Sequence, residues 1–119
     1  MDTLAALSDA VGFPVTEPAA LPFDLVNTTY TAYDEGTAEI TYTGPDDQTA
    51  TYRQSLGTAD NSGDDTLYED TQVIPENNAT LKGQGQRYTL ALWTDGTYTY
   101  SLNLSTGLSA DAWQALLDP

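Results

Sequence analysis

The residues of this 119-residue chain that could do chemistry are mostly carboxylates. The chain has 18 Asp and Glu against three basic residues, and it contains neither His nor Cys. It therefore lacks the commonest general base, the thiol nucleophile and the usual ligands of zinc. Its carboxylates would have to act as calcium ligands, or as the acid and base of glycoside hydrolysis.

The densest acidic segment matches a calcium-binding loop only in part. Oxygen ligands recur at alternate positions of such a loop, and Asp60, Ser62 and Asp64 follow that spacing. The sixth position, however, is Asp65 where the loop needs glycine, and the twelfth is Thr71 where it needs glutamate. The pattern therefore predicts a long, mobile, solvated loop over residues 57–70 and no metal site.

Three pairs of neighbouring acids could in principle supply the two carboxylates of a glycosidase: Asp34/Glu35, Asp46/Asp47 and Glu69/Asp70. Adjacent acids in turns are, however, usually turn residues. Lys82 and a serine such as Ser55 could form a base and a nucleophile, but nothing in the sequence brings them together. We therefore predict that the chain is not an enzyme, that it has no catalytic residue and that it binds no cofactor.

Aromatic side chains form a second group of candidates, because the chain has eight Tyr and two Trp against two Phe. A half-exposed tyrosine ring presents a flat amphipathic surface to a partner or ligand. The candidate ligand-binding residues are Tyr42, Tyr52, Tyr98, Tyr100 and Trp93. The four tyrosines are expected on the core-facing side, where they either fill the core or line a groove. Trp93 either forms an interaction patch or packs beneath the N-terminal helix or the extended segment Pro14–Pro22.

The elements that must position these rings follow from periodicity and from turn residues. Asp2 or Thr3 can cap a helix that begins at Leu4 and ends at Gly12, and Ser109 can cap a C-terminal helix. Alternating apolar residues predict strands over Leu25–Tyr33, Thr37–Thr43 and Thr49–Leu56, a weaker run over Thr71–Ile74 with Ala79–Lys82, and a hairpin of Tyr88–Trp93 with Thr97–Leu102. Asp95-Gly96 predicts a tight hairpin turn with positive φ angles.

This order of elements predicts the fold class. Helical patterns stand only at the two ends of the chain, so a parallel βαβ sheet is disfavoured. We expect an α+β fold, in which a single antiparallel, curved meander sheet of about six strands packs against short N- and C-terminal helices. The stripe of Trp113, Leu116 and Leu117 is expected to cover the face of the final strand that carries Tyr98, Tyr100, Leu102 and Leu104. The opposite face is expected to be solvated threonine. By length, residues 1–119 are expected to form a single domain.

The net charge of −15 limits the partners of the chain. It repels phosphate backbones and anionic lipids, so no nucleic acid partner is expected. The charge either keeps the domain monomeric and soluble or attracts a cation or cationic partner. The sequence has no run of 18 apolar residues and does not open like a signal peptide. Membrane attachment is therefore expected only through an anchor outside this chain.

Short motifs distributed over most of the chain carry a resemblance to a known family. In order, they are Leu4-Ala5-Ala6-Leu7, Val11-Gly12-Phe13-Pro14-Val15, Pro18, Leu21-Pro22, Ala38-Glu39-Ile40-Thr41-Tyr42, Leu92-Trp93-Thr94-Asp95-Gly96-Thr97-Tyr98 and Leu108-Ser109-Ala110-Asp111. They resemble an uncharacterised bacterial domain of unknown function, found in small lipoproteins and C-terminal to the membrane anchor of anti-sigma-factor-like proteins. The acidic loop and the segment Thr80-Leu81-Lys82-Gly83 depart from that family. The resemblance implies an extracytoplasmic location without enzymatic activity, and it transfers no site residues.

Two functions from different classes remain open. The first is a non-enzymatic extracytoplasmic domain that acts as a sensor or protein-interaction module of a membrane-anchored or lipoprotein parent. The alternative is a carrier or binder of an apolar small molecule or lipid in a tyrosine-lined sheet groove. An open cavity of roughly several hundred Å³ lined by the tyrosines would favour the carrier, and a filled core beside a flat exposed patch would favour the interaction module.

Overall fold

A computed structural model describes residues 3–18, 21–33, 36–57, 69–74 and 78–117 of the chain. Asp34, Glu35 and residues 58–68 of the predicted acidic loop, which include the partial calcium pattern, lie outside the described residues. The described elements are α1 (Leu4–Val11), β1 (Asn27–Ala32), β2 (Ala38–Thr43), a 3-10 turn (Pro45–Asp47), β3 (Thr49–Leu56), β4 (Asp70–Ile74), β5 (Ala79–Gln84), β6 (Arg87–Thr94), β7 (Tyr98–Leu108) and α2 (Ala110–Leu117).

Seven antiparallel strands of the described part form one open, curved sheet, so the predicted α+β class is confirmed. Their order is β1-β2-β3-β7-β6-β5-β4, which consists of two meanders joined where β3 pairs with β7. The expected single run of about six strands is corrected in two respects. The weak segment around residues 71–82 forms two strands that pair with each other, and the last strand lies at the centre of the sheet.

Burial explains why β7 is central. Its Leu102 and Leu104 are buried and lie opposite Tyr52 and Ala50 of β3, which are buried as well. β4 takes an edge instead, since its three middle residues are exposed. A strand that buries more apolar surface gains more by having neighbours on both sides, at about 25 cal/mol per Å² removed from water.

The core face of the sheet is defined by one row of residues that runs across five strands. These residues are Ile40, Tyr52, Leu102, Ala91 and Leu81. All five are buried, because period-two alternation directs each of them to the same side of the sheet. α1 packs over this face at β1 and β2 and inserts Leu7, which is fully buried.

Local signals in the sequence placed both helices correctly. Thr3 Oγ1 accepts a hydrogen bond from the Ala6 amide at 3.1 Å, and Gly12 ends α1, as expected. Ser109 Oγ accepts from the Ala112 amide at 3.3 Å at the start of α2. A helix N-terminus exposes unpaired amides that such oxygens satisfy, so these caps are readable from local sequence.

The face predicted for α2 is confirmed, since Trp113 belongs to the same buried cluster as Leu102 and Leu104, but its position along the sheet is corrected. α2 lies mainly against β4, and its Trp113 donates a hydrogen bond from Nε1 to the Tyr88 carbonyl at 2.7 Å, away from Tyr98 and Tyr100. The cause is a shift of register in β6, where Tyr88 pairs with Leu108 but Leu90 pairs with Asn103. Such a bulge bends the strand and lets the Tyr88 carbonyl accept a bond from outside the sheet.

The turn between β6 and β7 is also corrected. Asp95 pairs with Tyr98 through a bond from its amide to the Tyr98 carbonyl at 3.2 Å, so Gly96 and Thr97 form the loop. Gly96 has positive φ, but Asp95 does not. The reason is that Asp95 Oδ1 accepts bonds from the amides of Thr97 and Tyr98, which requires Asp95 to stand before the turn.

The face opposite the core face is not the fully solvated threonine surface that alternation predicts. Glu39 and Ser101 are buried there, and Glu39 Oε1 lies 2.8 Å from Arg53 Nη2. The Tyr33 hydroxyl donates to Glu39 Oε2 at 3.0 Å, and the Arg53 guanidinium lies 5.8 Å from the centre of the Tyr33 ring. This cross-strand pair joins β2 and β3, and pattern reading did not predict it because strand pairing brings the two residues together.

Candidate functional site

Three half-buried aromatic side chains form a surface at the β6–β7 hairpin, which we call the aromatic shelf: Trp93, Tyr98 and Tyr100. Trp93 lies directly opposite Tyr100 in the strand register. Their rings stack with centroids 5.6 Å apart and an angle of 14° between the planes. Tyr98 lies on the same face as Tyr100 because two residues separate them, and its ring centroid is 6.3 Å away.

Buried residues support the shelf from below. Tyr52 is 2% exposed, and its ring centroid lies 6.5 Å from that of Trp93 and 6.3 Å from that of Tyr100. Its hydroxyl is within 3.1 Å of Thr16 Oγ1, and burial raises the pKa of Tyr52 to about 12. Phe13 packs against Tyr98 at 5.1 Å. The shelf therefore rests on filled core, which holds its rings in place.

A fixed carboxylate lies beside the shelf. Asp95 Oδ2 accepts a hydrogen bond from the Tyr100 hydroxyl at 2.9 Å. Asp95 Oδ1 accepts from the amides of Tyr98 at 2.8 Å and Thr97 at 2.9 Å. These hydrogen bonds lower the pKa of Asp95, because hydrogen bonds to a carboxylate favour its charged form. The bond from the Tyr98 amide has the largest effect. The pKa of Tyr100 is raised, mainly by desolvation and secondly by its hydrogen bond to Asp95.

Further charges around the shelf have the same sign. Both Asp95 and Glu17 act electrostatically on the Tyr52 hydroxyl and raise its pKa, so a second carboxylate lies in this region. Arg53 points to the opposite face of the sheet, where it is paired with Glu39. Aromatic faces beside a fixed anion attract a cation, through the ring quadrupole and through Coulomb attraction.

The structure brings together four of the five candidate ligand-binding residues. Tyr52, Trp93, Tyr98 and Tyr100 are linked by ring contacts. Tyr42 lies on β2, two strands away from β7, and is buried, so that desolvation raises its pKa. It is a core residue. For Asp95 the sequence predicts only a place in the turn, although an Asp before a turn glycine commonly accepts a hydrogen bond from the backbone two residues on.

The rings of Tyr52, Trp93, Tyr98 and Tyr100 contact one another and so occupy the space between them. A surface cavity of about 230 Å³ lies elsewhere, between β4, the β5–β6 turn and α2. It is lined by Gln72, Gln86, Tyr88, Ser109, Ala110 and Asp111. The cavity contains none of the five candidate residues, so it gives no support to an apolar ligand in a tyrosine groove.

The residues considered for catalysis do not come together in the described part of the chain. Lys82 on β5 and Ser55 on β3 are separated by β6 and β7. Asp46 and Asp47 lie in the 3-10 turn with positive φ, and Asp70 Oδ2 accepts a bond from the Gln86 amide at 3.0 Å. Among the described residues no group of three or more acidic side chains could hold a metal ion.

Comparisons with known proteins found no relative. No protein-family model matches the chain, and no curated protein or solved structure matches it significantly. The family resemblance of the sequence therefore stays a prediction. In the described part of the chain, neither helix is long or apolar enough to span a membrane.

Proposed function

We propose that this chain is a non-enzymatic interaction module, or sensor, of an extracytoplasmic protein, and that the aromatic shelf binds a positively charged side chain of its partner. One observation carries the proposal. The half-buried Trp93 ring stacks on Tyr100, whose hydroxyl is bonded to the Asp95 carboxylate. Tryptophan is the best cation–π acceptor among side chains, and the neighbouring carboxylate adds direct attraction.

The charge of the whole chain supports the same kind of partner. A net charge of −15 raises the local concentration of cationic molecules and repels anionic ones. Electrostatic attraction of this kind accelerates association and weakens with added salt. A partner with exposed Arg or Lys side chains fits both the shelf and the overall charge.

The filled core supports an interaction module over a carrier. A carrier needs open volume among its tyrosines, but Tyr52 is buried and its hydroxyl is held by Thr16. The nearly parallel rings of Trp93 and Tyr100 give a partner an aromatic surface to pack against. The extracytoplasmic location depends on the family resemblance and is part of the proposal.

Short blocked peptides that contain Arg or Lys are titrated into the protein, and binding is followed by NMR through the backbone amide signals of Gly96 and Tyr98, which all variants retain. Asp95→Asn keeps an oxygen for the turn amides but removes the charge, and Trp93→Ala removes the ring. The matched control is Asp111→Asn, which changes the net charge equally but lies on α2. We expect both shelf variants to weaken binding about fivefold or more, and the control to change it by less than about twofold.

Two results would contradict the proposal. If Asp95→Asn and Asp111→Asn weakened binding equally, only the net charge would matter and the shelf would have no specific role. If the shelf variants instead abolished binding of a fatty acid probe and left the cationic peptides unaffected, the carrier function would be favoured.

A further inference from the structure

Among the described strands, β1 has a neighbour on one side only, and this edge lacks the features with which proteins usually protect an edge strand. The segment Leu25–Tyr33 contains no charged residue, no Pro and no Gly. Its first two residues, Leu25 and Val26, are 54% and 69% exposed. Natural edge strands are commonly blocked by charges, proline, bulges or short length, because unpaired backbone groups there can bind another strand. β4, at the other edge, has five residues and begins with Asp70.

The hydrogen bonds at the two ends of β1 show which backbone groups face outward. The Tyr33 amide donates to the Thr37 carbonyl at 3.0 Å, which makes Tyr33 a hydrogen-bonded position of the ladder. At the other end, Asn27 pairs with Thr43, and the Val26 amide, just before the strand, also donates to the Thr43 carbonyl at 2.8 Å. In an antiparallel pair the hydrogen-bonded residues alternate, so the odd-numbered residues of β1 bond to β2. The amides and carbonyls of Thr28, Tyr30 and Ala32 therefore point to the open side of the sheet.

We propose that β1 accepts an extended, positively charged segment of another protein as an additional antiparallel strand. Three outward amides and three outward carbonyls at this spacing match the ladder of such a strand, in which backbone bonds provide affinity. This inference goes beyond the proposed function. The aromatic shelf lies on β6 and β7, and β2 and β3 separate these strands from β1.

The charge distribution indicates which kind of segment would pair with β1. Asp24 is exposed just before β1, and Asp46 and Asp47 are exposed in the neighbouring turn. This turn lies beside that end of the strand, because a Cβ added to Gly44 would meet the Phe23 ring and the Asp24 carbonyl. A second copy of the chain would bring two bodies of charge −15 together, whereas a basic segment is attracted. The electrostatics therefore favour a basic partner strand over self-association.

The first test uses amide hydrogen exchange of the intact chain with a blocked peptide of alternating lysine and valine. We expect saturating peptide to slow exchange of the Thr28, Tyr30 and Ala32 amides by about tenfold or more. The amides of Thr29 and Thr31 should change little, since they already bond to β2. Protection that is uniform over the chain, or confined to the shelf, would overturn the proposal.

The second test changes a single outward donor. Thr28→Pro removes the outward amide and leaves the bonds to β2 intact, because proline is tolerated on edge strands where its nitrogen faces solvent. Thr28→Val keeps the amide and is the matched control. We expect the proline variant to lose about tenfold or more in the peptide affinity measured through protection of the Tyr30 and Ala32 amides, and the valine variant to stay within about twofold of the parent. Equal affinities of the two variants would refute the assignment.

Two further measurements separate the alternatives. Asp95→Asn and Trp93→Ala should leave peptide protection of β1 unchanged, so that failure at the shelf and failure at the edge are distinguishable. Sedimentation without peptide should show a monomer. A dimer in which the Thr28, Tyr30 and Ala32 amides are protected would assign the edge to a second copy and overturn the proposal.

Discussion

Gln54 is a fully buried polar residue whose amide group is satisfied at both ends. Its Oε1 accepts bonds from the Thr16 amide at 3.0 Å and from Thr16 Oγ1 at 3.3 Å, and its Nε2 donates to the Pro14 carbonyl at 3.2 Å. Because a buried amide without partners costs about 1–3 kcal/mol, this residue holds the segment after α1 against β3. That segment also supplies Thr16 and Phe13 to the underside of the shelf.

The raised pKa of Tyr52 predicts that the protein loses stability at alkaline pH. Its pKa is raised to about 12 in the folded state, chiefly by burial, whereas an exposed tyrosine titrates near 10. The stabilisation is complete below about pH 10 and is lost as the pH rises to about 12, by up to roughly 3 kcal/mol. Tyr52→Phe removes this titration. Urea unfolding at about pH 8 and about pH 11.5 should show a smaller loss for the variant, and equal losses would contradict the assignment.

The backbone of β6 packs so closely against Gly83 that any side chain at this position is expected to destabilise the bulge. A Cβ at this position would overlap the Arg87 carbonyl oxygen and lie 2.6 Å from the Tyr88 Cα. Gly83→Ala should therefore destabilise the fold by about 2 kcal/mol or more, as overpacking against backbone does. Gly85→Asn is the control, since its surroundings are open and asparagine tolerates positive φ. Chemical denaturation of both variants tests this, and similar stabilities would show that the bulge can relax.

β7 is the element on which the candidate site and the core both depend. It has eleven residues and pairs with β3 on one side and β6 on the other. Its first residues carry Tyr98 and Tyr100 of the shelf, and its end leads into α2 through Ser109. The central position of the strand limits its motion, because backbone hydrogen bonds on both sides hold it. Shelf geometry is therefore coupled to the integrity of the core.

Trp113 anchors α2, and its replacement is expected to cause the largest loss of stability among the substitutions considered. Its side chain is 0% exposed, and its Nε1 donates to the Tyr88 carbonyl. Trp113→Ala should lower the free energy of unfolding by about 3–5 kcal/mol, through lost burial and the cavity left behind. Ala115→Ser, at an exposed position of the same helix, should change it by less than about 0.5 kcal/mol. A loss below about 1 kcal/mol for Trp113→Ala, measured by urea unfolding, would show that α2 docks without it.

The charge of the whole molecule opposes compactness. Eighteen acids face three basic residues, of which Arg53 is paired with Glu39 and Arg87 Nε donates to the Thr106 carbonyl at 2.6 Å. Most negative charge thus has no cation of the same chain to neutralise it. Self-repulsion of this kind keeps copies of a protein apart and destabilises each folded copy.

We therefore expect the melting temperature to rise with salt. Raising NaCl from about 10 mM to about 150 mM shortens the screening length from about 30 Å to about 8 Å and weakens the repulsion between carboxylates. The control is the same titration near the isoelectric pH of about 4.1, where the salt effect should largely vanish. A melting temperature at neutral pH that does not change with NaCl would contradict this reading of the charge.

The sequence by itself determined the features that depend on neighbours in the chain. Capping by Thr3 and Ser109 and alternation over Thr49–Leu56 are local, and the structure confirms them. The same alternation placed the core-facing tyrosines on one side of the sheet.

Only the tertiary structure decided which strands pair and what the pairs bring together. The position of β7 between β3 and β6, the bulge beside Tyr88 and the cross-strand pair of Glu39 and Arg53 arise from contacts between distant segments. The stack of Trp93 on Tyr100 and the bond from Tyr100 to Asp95 depend on the register of the hairpin and on its turn. The physical reason is that strand pairing is selected by the total surface that the assembled sheet buries. Local periodicity specifies which face of a strand is apolar, but it does not specify the neighbour that covers it.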